Sequence, residues 1–305
     1  EMQISLGPVI MALKGPASQD VEGIYARARS LCREMGETEH VFPALWGIWR
    51  FHLNRGELET ARDVSDRLLY LAGKEKKADF LLEAHMAHGT TLSYLGELET
   101  AHNHFEAGLK IYDDHPDQSL ADFYGGCDPG VYCRSYSALS LWRLGYPDKA
   151  RQRSIESVDH ARDIGHPYSR VFALHYAAVL HRYRREADEV RKYAEAEIAL
   201  ATGEEYPVWM SLGTILLGWA RAEQGDLKEG IELMQEGLEG YLSTGASLAR
   251  PWLGLLTEAY GKVGELDKAL SLIDEALDAI AESHGRYWES ELYCLKGELH
   301  RQGGN

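Results

Sequence analysis

Cysteine is scarce in this chain of 305 residues: Cys32, Cys127, Cys133 and Cys294 are scattered, and no two stand at CxxC spacing. That pattern excludes a disulfide framework and a thiolate zinc site, and it suits a reducing compartment, so a cytoplasmic location is expected. Positive charge is also short, with 32 Lys and Arg against 48 Asp and Glu and a net charge of −16. Such a surface repels phosphate and argues against nucleic acid as a partner. The one dense basic cluster, His181-Arg182-Tyr183-Arg184-Arg185, sits where cations favour a helix C-terminus. Long apolar runs are missing. The longest, Met210 to Ala220, is about half of what a bilayer span needs, and no secretory signal is visible. There is no GxxxxGK[ST] loop to cradle phosphates.

What the chain does contain is a repeated phrase. Gly56-Glu57-Leu58-Glu59-Thr60-Ala61 returns as Gly96-Glu97-Leu98-Glu99-Thr100-Ala101, with weaker copies beginning at Gly145, Gly225 and Gly264. The glycine spacings are 40, 49, 80 and 39, and the 80 holds a hinge without glycine at Arg184-Arg185-Glu186-Ala187. A period in this range marks a solenoid. Stretches on both sides of each glycine have helical periodicity, such as Leu212, Ile215, Leu216 and Trp219 before Gly225, and Ile231, Met234 and Leu238 after it. Each unit is therefore a helical hairpin whose first helix ends at a residue that tolerates the left-handed conformation. Glu57, Glu97, Asp226 and Glu265 suit the positive start of the second helix. Small residues recur seven before the hinge (Gly89, Ala138, Ala178, Gly218, Gly297) and five after it (Ala61, Ala101, Ala150, Gly230, Ala269), where the two helices must approach.

This small-residue pattern resembles the tetratricopeptide repeat, stretched from 34 residues to about 40. The resemblance implies an all-α, right-handed superhelical solenoid over residues 1–305, with hairpins at 4–35, 39–73, 78–112, 129–164, 168–203, 207–243 and 247–282 and a lone helix at 286–301. Gly7-Pro8 is awkward inside the first of these helices. The lone helix is the first half of a further repeat with Gly304 at its hinge. A piece of a longer protein, with an apolar helix face prone to end-to-end self-association, is expected from it. Phrases including Leu45-Trp46-Gly47-Ile48-Trp49-Arg50-Phe51, Tyr124-Gly125-Gly126-Cys127-Asp128-Pro129-Gly130-Val131 and Ala259-Tyr260-Gly261-Lys262-Val263-Gly264 look like the C-terminal arm of bacterial signalling proteins in which a class III adenylate/guanylate cyclase and an AAA-type ATPase precede the repeats. That resemblance implies a sensor or scaffold arm; neither catalytic domain lies in this chain.

Candidate chemistry is thin, so no enzyme, metal or cofactor is expected. His85 and His88 share a helical face but show no third ligand at metal spacing, and His102 and His104 point to different faces. The spacing of 49 marks an insertion at 113–130, where Asp113, Asp114, Asp117, Asp122 and Asp128 lack calcium-loop spacing and suit turn and N-cap duty. The Phe123-Tyr124 pair is expected to fold it back onto the solenoid.

The other candidate surface is the concave groove. Its register, counted back from each hinge, selects Trp46, Arg50, Met86, Tyr94, Tyr132, Trp142, His175, Arg182, Trp219 and Glu223. Aromatic and arginine side chains are the usual interface anchors. Trp142 and Trp219 are expected to be less buried than a core residue such as Leu217. The first functional reading is a non-catalytic interaction module presenting this groove to a protein, a peptide or a neighbouring domain. The second is a small-ligand sensor arm acting on an attached ATPase or cyclase, as in the related repeat arm of maltose-type activators. A closed aromatic pocket would favour the second.

Overall fold

The computed structural model describes residues 7, 9–11, 14–35, 41–116, 119–124, 126–246, 248, 252–286 and 288–303. Among the described residues there are helices and no strands. In chain order they are α1 (Gln19–Met35), α2 (Val41–Asn54), α3 (Leu58–Glu75), α4 (Ala78–Leu95), α5 (Leu98–Asp114), α6 (Ser119–Tyr124), α7 (Pro129–Arg143), α8 (Pro147–Ile164), α9 (Pro167–Tyr183), α10 (Ala187–Gly203), α11 (Pro207–Glu223), α12 (Leu227–Ser243), α13 (Leu253–Lys262), α14 (Leu266–Ser283) and α15 (Glu289–Gln302). Helical residues at 7, 9–11 and 14 precede α1 and break at Gly15 and Pro16. The expected hinge at Gly304 lies outside the described residues, as does most of the expected helix from residue 4.

The hairpins α2/α3, α4/α5, α7/α8, α9/α10, α11/α12 and α13/α14 follow the repeat, and prolines at the first turns of α7, α8, α9 and α11 start helices where a backbone N–H is not needed. Hinge geometry is the same with or without glycine. Gly225 has φ 102°, and Arg185, at the disguised hinge, is held at φ 58°. A left-handed non-glycine residue costs about 1–2 kcal/mol, so the fold imposes the turn there. Of the acidic residues after the hinges, Asp226 caps its helix by accepting from the Glu229 N–H, whereas Glu57, Glu97 and Glu265 make no side-chain cap.

The paired small residues let the helices of a hairpin touch. A Cβ on Gly218 would stand 2.7 Å from the Gly230 carbonyl, and one on Gly230 would stand 2.6 Å from the Gly218 carbonyl. Gly297, at the same repeat position in α15, has nothing within 4 Å of a Cβ. The inner side of α15 is apolar and covered: Leu292 and Leu299 are buried against Gly254 and Gly261 of α13. Its outer side exposes Tyr293 and Cys294 among Glu291, Glu298, His300 and Arg301.

The superhelix curls until its ends meet. The Leu248 N–H donates to the Asn54 carbonyl at 3.2 Å, and the Arg286 N–H donates to the Tyr94 carbonyl at 3.0 Å. Gly245 lies against the Ala17 carbonyl, and Gly15 against Val208 and Thr244. The accessible surface, 13422 Å² for 34.2 kDa, is close to the value of about 12,900 Å² for a compact protein of this mass. An open solenoid would exceed it.

Candidate functional site

The first helices of the hairpins face inward, and closure turns their groove into an interior. On α2, Trp46 is buried and Arg50 is 7% exposed, with its guanidinium 5.6 Å from the Trp46 ring. The insertion supplies the floor beneath them: Tyr124, at the end of α6, is buried with its ring 5.0 Å from Trp46, while Phe123 stays exposed. Gly126 lies beside Trp46 and the Arg50 Nη1. Asp128 caps α7 through the Val131 N–H at 2.9 Å, and Asp113 pairs with Arg134 at 3.0 Å. Asp117 lies outside the described residues, as does the side chain of Asp122.

Arg50 faces a band of tyrosines. Its Nη2 donates to the Tyr168 Oη at 3.2 Å. Beyond it, hydroxyls link in steps of one repeat: Thr90 to Tyr132 at 2.9 Å, Tyr94 to Tyr136 at 3.4 Å and Tyr136 to Tyr176 at 2.6 Å. Tyr132 stacks on both Tyr136 and Phe172 with centroids 4.8 Å apart. Burial works against the charge on Arg50, but these hydroxyls favour it, and the net shift is upward. Among the described residues no carboxylate lies within ion-pair distance of it. The Glu83 carboxyl on α4 is fully buried and pushed up to about 8 by burial, against the opposing influence of the Trp46 N–H and Arg50. Glu83 Oε2 and Trp46 Nε1 are both buried, and neither makes a hydrogen bond of normal geometry.

The closing segments form the opposite wall. Trp252 stacks on His175 at 5.6 Å and 13°, and Trp288 meets Trp252 edge-on at 5.9 Å. His175 Nδ1 is 3.0 Å from Glu197 Oε1 with both groups buried; burial raises the Glu197 carboxyl and His175 opposes the rise. These surfaces bound a part-open cavity of about 80 Å³ lined by Arg50, Tyr94, Tyr132, Tyr136, Tyr168, Phe172, His175, Tyr176, Trp209, Trp252 and Trp288. A larger recess of about 500 Å³, lined by Arg55, Leu58, Ala246, Ile280 and Gly285, shares Tyr94, Leu248 and Trp288 with the cavity. Those three residues therefore stand between the recess and the interior.

The ten groove residues chosen from sequence separate into two groups. Arg50, Tyr94, Tyr132 and His175 line the cavity, with Trp46 beneath Arg50, while Met86 is buried on α4 outside the lining. Trp142, Arg182, Trp219 and Glu223 are engaged in packing between repeats. Trp142 stacks on Tyr183 at 6.5 Å, Arg182 pairs with Glu291 at 2.9 Å, Arg185 lies over the Trp219 ring at 5.9 Å, and Glu223 holds Lys262 and Arg185. Trp219 is 2% exposed, and Leu217 is only half-buried, the reverse of the expected order. Sequence reasoning did not select Tyr136, Tyr168, Tyr176, Trp209, Trp252 or Trp288. A signal existed for Tyr136 and Tyr176, which each stand nine residues before their hinges at Gly145 and Arg185.

Between α4 and α5 three histidines gather. His85 Nδ1 and His104 Nδ1 are 2.9 Å apart, the His88 and His104 rings are 4.8 Å apart, and His88 also contacts Ser65 and Asp66. His104 is thus a neighbour of the His85/His88 pair that the spacing did not reveal. Among the described residues no group has the geometry of a metal cage, and no helix is long and apolar enough to cross a membrane.

No family model matches the chain. An uncharacterised protein of Rhizobium meliloti (strain 1021) is 26% identical over 309 residues, which cover 98% of this chain and 29% of that protein, so the chain spans less than a third of the relative's length. The Cut9–Hcn1 hetero-tetramer of the APC/C superposes with a TM-score of 0.63 at 12% identity, covering 98% of this chain and 48% of that one. NprR in complex with its cognate peptide NprX gives 0.62 at 16%, covering 97% and 83%. A STAND signal-transduction ATPase with a tetratricopeptide repeat sensor from Pyrococcus horikoshii gives 0.51 at 14%, covering 92% and 43%. At these identities the likeness establishes the architecture: the chain is an all-helical solenoid of tetratricopeptide-like hairpins.

Proposed function

We propose that this chain is a non-catalytic regulatory arm that senses a ligand inside its closed superhelix. The observation that carries this reading is the pair of backbone hydrogen bonds, Leu248 to Asn54 and Arg286 to Tyr94, that shut the groove and leave a walled cavity behind Tyr94, Leu248 and Trp288. A groove presenting its anchors to a long peptide needs them accessible, and here Trp46, Arg50, Tyr132 and His175 are all buried. The closing segments supply Leu248, Trp252 and Trp288 to the cavity wall, so ligand binding is coupled to how the two ends of the array sit. That coupling suits an arm joined to other domains. The greater length of the Rhizobium relative and the STAND ATPase with its repeat sensor support this setting by analogy.

Hydrogen exchange tests the reading. The Leu248 and Arg286 amides are expected to exchange at least about 100-fold more slowly than unstructured amides, because they open only with the closure. Exchange at the free-peptide rate would mean an open groove and return the interaction-module reading to first place. Peptide binding remains compatible with an opened form, as the NprR–NprX neighbour illustrates for its own chain. End-to-end self-association would rest on Tyr293, Cys294 and the bare Gly297 of α15, and a strict monomer in sedimentation velocity at high concentration would remove it.

A further inference from the structure

We infer that the interior cavity is a carboxylate-recognition site in which Arg50 binds the anionic head of a two- or three-carbon organic acid and the aromatic walls hold its stem. The inference rests on the sensor reading above and specifies the ligand. Its basis is a buried cation that pairs with no carboxylate among the described residues. A buried guanidinium is stable only when paired or well hydrogen-bonded, and losing a partner is costly. Arg50 is 7% exposed, lines the cavity, and among the described residues is satisfied by a tyrosine hydroxyl and an indole face rather than by an anion. Arg182 shows how the same fold treats an arginine that serves structure: 4% exposed, over the Trp288 ring at 5.0 Å, and gripped by Glu291 through both terminal nitrogens at 2.9 and 3.5 Å.

Glu83, a carboxyl whose charge Arg50 favours, forms no ion pair with it, and burial in its own site favours the neutral acid. The fork of a guanidinium matches a planar carboxylate, and with Nη2 already bonded to Tyr168 the remaining donors define the approach. Size limits the acid. At about 80 Å³ the cavity is roughly half of an engineered apolar cavity of about 150 Å³ that accepts benzene. Acetate or propionate fits that volume; a longer acid would extend beyond it, past lining residues such as Tyr94, Leu248 or Trp288.

The test compares acids with their isosteric neutral amides. Propionate and propionamide, and acetate and acetamide, are titrated into the full chain at constant ionic strength set with sodium chloride, and binding is read by calorimetry and by thermal shift. Propionate is expected to bind in the low millimolar range and at least about tenfold more tightly than propionamide, because a site built for a charged acceptor rejects an analogue lacking it. Arg50→Gln should remove the difference between acid and amide. Tyr168→Phe, which leaves the guanidinium in place but frees its orientation, should weaken propionate about three- to tenfold and leave propionamide unchanged. That variant keeps the test informative if Arg50→Gln fails to fold. Equal binding of acid and amide would overturn the carboxylate assignment while leaving an interior ligand site intact. Binding of neither acid at about 20 mM, with the Leu248 and Arg286 amides still protected, would also overturn it without touching the closure.

Discussion

Arg50 stands six residues before its hinge on α2 and Arg182 three before its hinge on α9; each is nearly buried and set over a tryptophan ring, but their partners differ. Glu291 reaches from α15 to close Arg182 into an ion pair that ties the end of the array to its middle. Arg50 has Tyr168 and no carboxylate within reach among the described residues. Two side chains of one type, at one depth, thus separate into a lock and an open receptor. What separates them is whether the fold spends an acidic residue on neutralising the charge. With 48 acidic residues in the chain, leaving Arg50 unpaired is not a matter of supply.

The largest expected effect comes from breaking the lock. Glu291→Gln leaves Arg182 buried without its counter-charge, and the chain should lose about 2 kcal/mol in urea denaturation, less than for a fully buried pair because Glu291 is half exposed. A smaller loss is expected at the receptor. Arg50→Met removes a cation that the tyrosine hydroxyls hold but no carboxylate pairs, and should cost no more than about 1 kcal/mol while abolishing discrimination between acid and amide. Comparable losses at both positions would erase the distinction between them.

The histidine cluster extends the same logic to groups that can shed their charge. His85, His88 and His104 all have imidazole pKa values lowered chiefly by burial, and His104 is lowered to about 4 with further repulsion from His88 and His85. The unfolded chain protonates first as pH falls below about 6.5, so the contribution of these groups is complete above that pH and is lost towards about pH 4. Because the rings are part-exposed, a loss of only about 1 kcal/mol between pH 7 and 5 is expected, and His104→Asn should flatten that slope in denaturation series. The smallest effect is at the turns. Glu205 is exposed at φ 57°, so Glu205→Gly should gain about 0.5–1 kcal/mol. Arg185→Gly should gain less, since Arg185 also pairs with Glu223 and Glu258.

The hairpins were legible because their determinants are local. A glycine at most hinges, helical periodicity on both sides and small residues at fixed offsets placed α7/α8 at 129–164 as expected and located a hinge without glycine at Arg184-Arg185-Glu186-Ala187, where Arg185 is left-handed. The hinge register also selected Arg50, Tyr94, Tyr132 and His175, which line the cavity, because groove positions follow the same periodicity. It could not find Trp252 or Trp288. These arrive at the cavity through closure, which joins Leu248 to Asn54 and Arg286 to Tyr94 across nearly two hundred residues and depends on the summed twist of the repeats. For the same reason Trp219 looked like groove and proved to be core: the register gives the face of a helix but not what later covers it.

Small-angle X-ray scattering of the monomer fraction tests the closure most directly. A closed array of 305 residues should give a radius of gyration of about 19–20 Å, as for a compact protein of this length. A value above about 24 Å, with a correspondingly extended distance distribution, would show the ends apart and contradict an interior site.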